Sequence, residues 1–197
     1  MSVPQDPEAD IALMLLVREG DERAFARIYE QHYRAIQRFF FSLSRDATVS
    51  YDLCQETFVR IWRARRRYAA TGRFKAYLYT FARHIWLEQC RRVRKERMLG
   101  LASDIDDYFD SLAAPASGEP DGMAVRAESR ASIEAALDEL PEEQRLAFTL
   151  RYMQGLTPEE IARVMDCPVN TVRSRKLAAL RKLRELLQSR RNEEIRI

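Results

Sequence analysis

The chain of 197 residues is predicted to be all-α, with two small helical domains joined by an acidic flexible linker. Three observations predict this fold. Apolar residues recur at helical spacing in both halves, proline and glycine stand where helices would begin or end, and a central stretch lacks both periodicity and basic residues. The expected boundaries are 1–98 for the N-terminal domain, 99–125 for the linker and 126–197 for the C-terminal domain.

The N-terminal domain is expected to contain four helices. Two helical patterns lie within residues 10–43, and a polar break at Asp46–Ser50 precedes the third. The third helix carries an apolar stripe that includes Phe58 and Trp62, and its opposite side groups Asp52, Gln55, Glu56 and Val59 at three- and four-residue spacing. A small-residue loop at 69–72 leads to a long fourth helix, Phe74–Arg97.

The C-terminal domain ends in a predicted helix-turn-helix. A helix opened by Pro141 runs to residue 154, and Thr157 with Glu160 then forms a T-x-x-E capping box for the next helix. Pro168 ends that helix, and Val169 or Asn170 is expected to cap a final basic helix. The inward face of the final helix is expected to consist of five apolar residues, Val172, Leu177, Leu180, Leu183 and Leu187.

Charge is strongly segregated along the chain, although the net charge is only +3. Residues 60–98 contain thirteen Lys and Arg against two Glu, and residues 169–197 contain nine against three. The linker holds six carboxylates and no cation. Two basic blocks predict two contacts with a polyanion, and a solvated basic surface is the alternative. The segregation also predicts that the two domains are partly masked in the free protein, by the linker or by one another.

Residue types within the basic blocks suggest two kinds of nucleic-acid contact. Arginines interleaved with aromatic residues in 74–97 suit single strands, because cations bind the backbone and rings stack on bases. Most of those rings are nevertheless expected to be core, because they follow the spacing of a buried stripe. The start of the final helix presents Thr171, Arg173, Ser174 and Lys176, which suit a DNA major groove.

Other classes of function find little support in the residues. No apolar window approaches the length of a membrane span, and the acidic N-terminus does not resemble a signal peptide, so a cytoplasmic protein without membrane insertion is expected. The three cysteines form no C-x-x-C pair and only two histidines occur, so no metal, cofactor or catalytic residue is expected. The absence of a glycine-rich phosphate loop also argues against an enzyme.

Two motifs resemble those of the extracytoplasmic-function sigma factors of the bacterial sigma-70 family. The first is Asp52-Leu53-x-Gln55-Glu56-x-Phe58-x-x-Ile61-Trp62, followed by Phe74-Lys75-Ala76-Tyr77-Leu78 and Ala82-Arg83-His84. The second runs from Leu140-Pro141 through Gly155-Leu156-Thr157, Glu160-Ile161-Ala162, Met165 to Val169, and Thr171-Val172-Arg173-Ser174-Arg175. Their order across an acidic linker extends the resemblance over nearly the whole chain.

The resemblance implies roles in transcription initiation. It implies binding to core RNA polymerase, through the β′ clamp helices and the β flap, with the β′ contact at Asp52, Gln55, Glu56 and Val59. It implies capture of the minus-ten promoter element by Arg67, Gly72, Arg73, Phe74, Lys75, Tyr77, Arg83, His84, Arg91 and Arg92. It implies recognition of the minus-thirty-five element by Thr157, Asn170, Thr171, Arg173, Ser174, Arg175, Lys176 and Arg181. An anti-sigma factor is an expected further partner.

Five positions depart from the family pattern: Tyr77, His84, Asn170, Leu177 and Ala178. These departures bear on base preference rather than on the fold. A stand-alone helix-turn-helix regulator is the alternative function. It would account for the C-terminal third of the chain, but not for the D-x-x-Q-E helix or the first basic block.

Overall fold

The computed structural model describes residues 7–99 and 132–194, and side chains within 8–99 and 132–189. The described ranges are helical and contain no strand, which confirms the all-α prediction. The acidic linker expected at 99–125 lies, apart from Leu99, outside the described residues. The domain boundaries therefore stay a prediction.

The N-terminal domain consists of four helices and one short turn. They are α1 (Pro7–Arg18), α2 (Glu22–Ser44), α3 (Ala47–Ala64), a 3-10 turn (Arg65–Arg67) and α4 (Phe74–Met98). The predicted break at Asp46–Ser50 was too long. The Asp46 side chain accepts a hydrogen bond from the Val49 backbone N–H at 2.9 Å, so it caps α3 and lets that helix begin at Ala47.

The described part of the C-terminal domain, residues 132–194, contains four further helices. They are α5 (132–138), α6 (Glu142–Phe148) with a π-helical turn (Thr149–Met153), α7 (Pro158–Met165) and α8 (Val169–Glu194). The predicted capping box is present: Thr157 Oγ1 accepts from the Glu160 backbone at 3.2 Å, and Glu160 Oε2 accepts from the Thr157 backbone at 2.7 Å. Helices α7 and α8 form the predicted helix-turn-helix.

The expected N-cap of α8 was wrong. Its N-cap is neither Val169 nor Asn170, because the Pro168 carbonyl already accepts the first helical hydrogen bonds, from Thr171 at 2.9 Å and Val172 at 3.2 Å. Pro168 is therefore the last residue outside the helix.

The predicted apolar face of α8 was also only partly correct. Leu177 is 62% exposed and Leu180 is 38% exposed, whereas Val172 and Leu183 are buried. Leu177 lies five residues after Val172, which places it roughly 140° away around the helix. The buried stripe instead passes through Ala179, which is fully buried at the spacing that joins Val172 to Leu183.

A continuous apolar core extends from the N-terminal domain into α6 and α7. Its N-terminal part is aromatic, with Phe39 in edge contact with both Phe40 and Tyr79. Its C-terminal part includes Leu150 and Ile161, which are fully buried. A smaller cluster joins α5 to α8 through Leu137, Leu140 and Leu183. In this structure α7 packs against α4, so the two domains contact each other directly.

The core predicts different costs for the same substitution at two leucines of the C-terminal domain. Leu146→Ala removes a fully buried side chain from α6 and should lower the free energy of unfolding by about 2–5 kcal/mol. Leu177→Ala, at an exposed position of α8, should change it by less than about 0.5 kcal/mol. Chemical denaturation of both variants measures the difference. Equal losses would contradict the core described above.

Candidate polymerase and nucleic-acid interfaces

The four residues predicted to bind polymerase lie together on the outer side of α3. Asp52 and Val59 are exposed, and Gln55 and Glu56 are half-buried. Gln55 Nε2 donates a hydrogen bond to the Tyr29 hydroxyl at 3.0 Å, so the Gln55 amide is oriented by a residue of α2. The opposite side of α3 is buried against α2 and α4. One face of the helix thus remains available for a partner.

Arg60 holds this face in place, and the sequence analysis missed it. Its Nε donates to Glu56 Oε1 at 2.7 Å, and its two terminal nitrogens donate to the Glu88 carboxylate on α4 at 2.9 and 2.7 Å. These hydrogen bonds from Arg60 lower the pKa of Glu88. The i,i+4 spacing of Glu56 and Arg60 was the available signal. The Glu88 contact had no local signal.

The loop before α4 is anchored at both ends by buried aromatic rings. Tyr68 and Phe74 are 3% and 1% exposed, and Tyr77 packs edge-on against Tyr68 at 5.1 Å. His32 adds an edge contact to Phe74 at 5.2 Å, and its Nε2 lies 3.1 Å from Asp10 Oδ1 in the buried interior. Burial raises the pKa of Tyr68, and the nearby Asp10 carboxylate adds to the effect. These rings fix the two ends of the loop.

The residues predicted to bind the minus-ten element differ widely in exposure. Arg67, Arg73, His84, Arg91 and Arg92 are exposed, Gly72, Lys75, Tyr77 and Arg83 are half-buried, and Phe74 is buried. Phe74 therefore supports the loop here rather than presenting its ring to solvent. Burial lowers the pKa of Lys75, and the neighbouring Arg73 charge acts in the same direction. Arg73 and Lys75 place two cations next to the anchored loop.

Most of the residues predicted to bind the minus-thirty-five element lie in the first two turns of α8, whereas Thr157 caps α7 and Arg181 lies farther along α8. Asn170, Arg173, Ser174 and Arg181 are exposed, and Thr157, Thr171, Arg175 and Lys176 are half-buried. Ser174 Oγ donates to the Thr171 carbonyl at 2.9 Å. Arg175 Nη1 lies 2.9 Å from Glu143 Oε2, so this cation already has a partner on α6. The Thr157 hydroxyl is engaged in the capping box.

Comparison with known proteins identifies both domains. The sigma-70 region 2 family matches residues 28–96, and the sigma-70 region 4 family matches residues 130–183. The chain is 31% identical over 183 residues to the RNA polymerase sigma-H factor of Pseudomonas aeruginosa, covering 92% of this chain and 95% of that relative. The chain belongs to the sigma-70 family of RNA polymerase sigma factors. The N-terminal domain is hereafter region 2 and the C-terminal domain region 4.

Further relatives show that the chain is an extracytoplasmic-function member of this family. The extracytoplasmic-function sigma-E factor of Escherichia coli K12 is 31% identical over 175 residues, covering 84% of this chain and 87% of that one. The sigma factor RpoE of Bartonella quintana, solved in complex with the anti-sigma factor NepR, superposes with a TM-score of 0.64 at 27% identity, over 83% of this chain and 96% of that one. CnrH, at 24% identity and a TM-score of 0.65, shares the fold.

The region 2 match decides between the two functions considered from sequence. A stand-alone helix-turn-helix regulator would leave residues 28–96 unexplained, whereas a sigma factor requires them. Sigma factors are DNA-binding transcription initiation factors rather than enzymes. Within residues 7–99 and 132–194, no helix is long and apolar enough to cross a membrane.

Proposed function

We propose that three separate surfaces of this sigma factor carry out polymerase binding, minus-ten capture and minus-thirty-five recognition. The observation that carries this proposal is the placement of the predicted residues. The acidic and amide side chains lie on the outer side of α3, the cations surround an anchored loop at α4, and a polar basic cluster begins α8. Each set has the chemistry of its proposed partner.

The outer side of α3 binds the β′ clamp helices of core polymerase. Asp52 and Glu56 supply carboxylates and Gln55 supplies an amide, while the exposed Val59 adds apolar contact at the edge. Arg60 contributes by positioning Glu56, because the ion pair limits the rotamers open to that carboxylate before binding. The surrounding apolar packing of α3 keeps the face rigid. Region 4 is assigned the second contact, with the β flap.

The loop and the basic face of α4 bind the minus-ten element as an unpaired strand. Arg73, Lys75 and Arg83 neutralise phosphates, and Gly72 lets the backbone approach a base turned out of the stack. Extruding a base costs a few kcal/mol, so the loop must be held in place before it binds. The buried rings at both ends of the loop meet this requirement.

The first two turns of α8 read the minus-thirty-five element in the major groove. Arg173 has the fork of donors that pairs with two acceptors on one guanine, while Thr171 and Ser174 suit phosphates or base edges. Arg181 is exposed farther along the helix and suits a phosphate. Because catalysis belongs to the polymerase, we assign no catalytic residue, metal or cofactor to this chain. We assign its site of action to the cytoplasm, where the polymerase works.

Control by an anti-sigma factor is part of the proposed function. The Bartonella relative was solved with such a protein bound, and this chain shares its fold and 27% of its sequence. A partner of this kind is expected to compete with polymerase for the sigma factor. The whole proposal is tested by transcription in vitro from a randomised promoter library with core polymerase, with and without the protein. A protein that shifts duplex DNA unaided and adds no promoter-specific transcripts would contradict it.

The α3 assignment predicts that charge at Glu56 controls polymerase binding. Glu56→Lys should abolish binding to core polymerase, because it reverses a carboxylate on the contact surface and places a cation beside Arg60. Glu30→Lys, an exposed position on α2, is the control and should retain binding. Gel filtration with core polymerase measures the outcome, and circular dichroism checks the fold. Unchanged affinity of a folded Glu56→Lys variant would overturn the assignment.

The α8 assignment predicts different effects from two exposed cations. Arg173→Ala should cost roughly 1–3 kcal/mol and relax specificity at one or two promoter positions, because a base contact is lost. Lys182→Ala, about two and a half helical turns farther along, should weaken binding uniformly if it changes anything. Competition among minus-thirty-five variants in the holoenzyme separates the two patterns. A uniform loss from Arg173→Ala would reassign that side chain to a phosphate contact.

A further inference from the structure

The surface of region 2 that carries the minus-ten residues is in contact with region 4. Helix α4 packs on α7, and the Tyr79 hydroxyl donates to Gln154 Oε1 at 2.5 Å between two buried side chains. Leu150 and Ile161 of region 4 continue the apolar core beneath this contact. The interface therefore has a buried centre with a polar rim around it.

The ion pairs of that rim all have the same polarity. Within the described residues, region 2 supplies the cation and region 4 supplies the carboxylate in the ion pairs that join the two domains. Arg73 Nη1 lies 3.5 Å from Glu160 Oε1, and Arg83 Nη2 lies 4.0 Å from Glu143 Oε1. Arg45 forms a third contact, with Asp138 on α5 at 3.1 Å. The acidic side of region 4 thus faces the basic side of region 2.

We propose that region 4 occupies the minus-ten binding surface of region 2 in the free sigma factor, with its carboxylates in the places of DNA phosphates. The inference rests on the proposed function of Arg73 and Arg83 as phosphate contacts. A carboxylate and a phosphate both present anionic oxygens to a guanidinium, so one cation cannot serve both at once. Minus-ten capture then requires the domains to separate first.

Glu160 is the best-defined of these carboxylates. It is 3% exposed, and its Oε2 accepts the capping-box hydrogen bond from the Thr157 backbone while Oε1 faces Arg73. The cap fixes the side chain independently of region 2. Pairing with Arg73 therefore needs no further ordering of Glu160, which lowers the entropic cost of the closed arrangement.

The loop itself is covered as well as its cations. The guanidinium at the end of the exposed Arg163 side chain of α7 lies directly against Gly72, so this flexible side chain fills the space beside the glycine in the closed arrangement. A base turned out of a DNA strand would need the same space. The covering of Gly72 and the pairing of Arg73 involve two different side chains of α7, and both place region 4 on the proposed minus-ten surface.

The other two proposed surfaces are not covered in this way. Asp52 and Val59 on α3 and Arg173 and Ser174 on α8 are exposed in the same structure. The closed protein can therefore bind polymerase and duplex DNA before it can bind an unpaired strand. Binding of the separated domains by polymerase would then uncover the loop at the stage at which the promoter is melted.

Paired carboxylate-to-amide variants test the inference. Asp138→Asn with Glu160→Gln removes the interdomain ion pairs of these two carboxylates with Arg45 and Arg73 and leaves the Glu143 to Arg175 pair within region 4 intact. Glutamine at 160 can still complete the capping box. Glu159→Gln with Glu185→Gln is the matched control, because it changes net charge equally at two exposed positions of region 4. Circular dichroism and polymerase binding confirm that both proteins are folded. Tyr79→Phe is a second test variant, because it removes the hydroxyl that donates a hydrogen bond to Gln154. That hydrogen bond joins the two domains and is present only in the closed form.

Three measurements on the free, full-length proteins report the outcome. Fluorophores introduced at Arg63 and Lys182 by chemistry that spares the native cysteines measure the separation of the domains. Fluorescence anisotropy measures affinity for a labelled single-stranded DNA 20-mer of mixed sequence. Alkylation followed by peptide mass spectrometry measures the exposure of Cys90, whose thiol pKa is raised to about 12 by burial and by Glu142 of region 4. Cys54, buried within region 2, is the internal control.

The test variants should be more open than both wild type and control. We expect a longer distance between the fluorophores and faster alkylation of Cys90, with the alkylation of Cys54 unchanged. Affinity for the single strand should rise roughly two- to tenfold over the control, which is the range for two partly exposed ion pairs. Thiolate formation becomes easier when Glu142 withdraws.

Equal distances and equal single-strand affinities in the test and control variants would overturn the inference. A longer distance without any gain in affinity would also overturn it, because the interface would then not cover the binding surface. The proposed function fails separately. If Arg73→Ala and Arg83→Ala holoenzymes melt promoters normally, those cations are not minus-ten contacts, whatever the distances show.

Discussion

The packing of α7 against α4 is the contact on which the arrangement of the two domains depends. It buries Tyr79 with Gln154 and joins the aromatic core of region 2 to Leu150 and Ile161 of region 4. Apolar burial supplies the non-directional part of the attraction, and the hydrogen bond and ion pairs fix the relative position. Because α4 carries the residues proposed to bind the minus-ten element on the same part of its surface, the contact that closes the protein would block that proposed function.

Local features of the fold could be predicted from sequence because their signals lie within one helical turn. The Thr157 to Glu160 capping box, the start of α4 at Phe74 and the end of α7 before Pro168 each follow from neighbouring residues. The inward face of α8 was only partly predicted, since Leu177 fits a leucine-rich pattern but lies off the stripe defined by Val172 and Ala179. Apolar identity alone does not locate a face.

The interdomain contacts had no such signal. Arg73 and Glu160 are far apart in sequence, and nothing near either residue indicates its partner. Charge segregation did predict masking in general terms, by the linker or by the other domain. Charge segregation could not identify region 4 as the source of the carboxylates. Glu143 and Glu160 both lie in the first turn of a helix, where a carboxylate is already explained by the helix dipole or by capping. Their second role becomes visible only in three dimensions.

The closed arrangement must also be weak enough for polymerase to open it. Moving a two-state equilibrium from 1:99 to 99:1 takes about 5.5 kcal/mol of differential binding. Arg83 Nε and Glu142 Oε1 are buried and have no hydrogen-bond partner among the described residues, so the rim of the interface is incompletely satisfied. The Arg73 side chain is 46% exposed, so its ion pair with Glu160 is partly screened. We therefore expect this interface, with its apolar centre and incompletely satisfied rim, to be opened by a partner that binds the exposed side of α3.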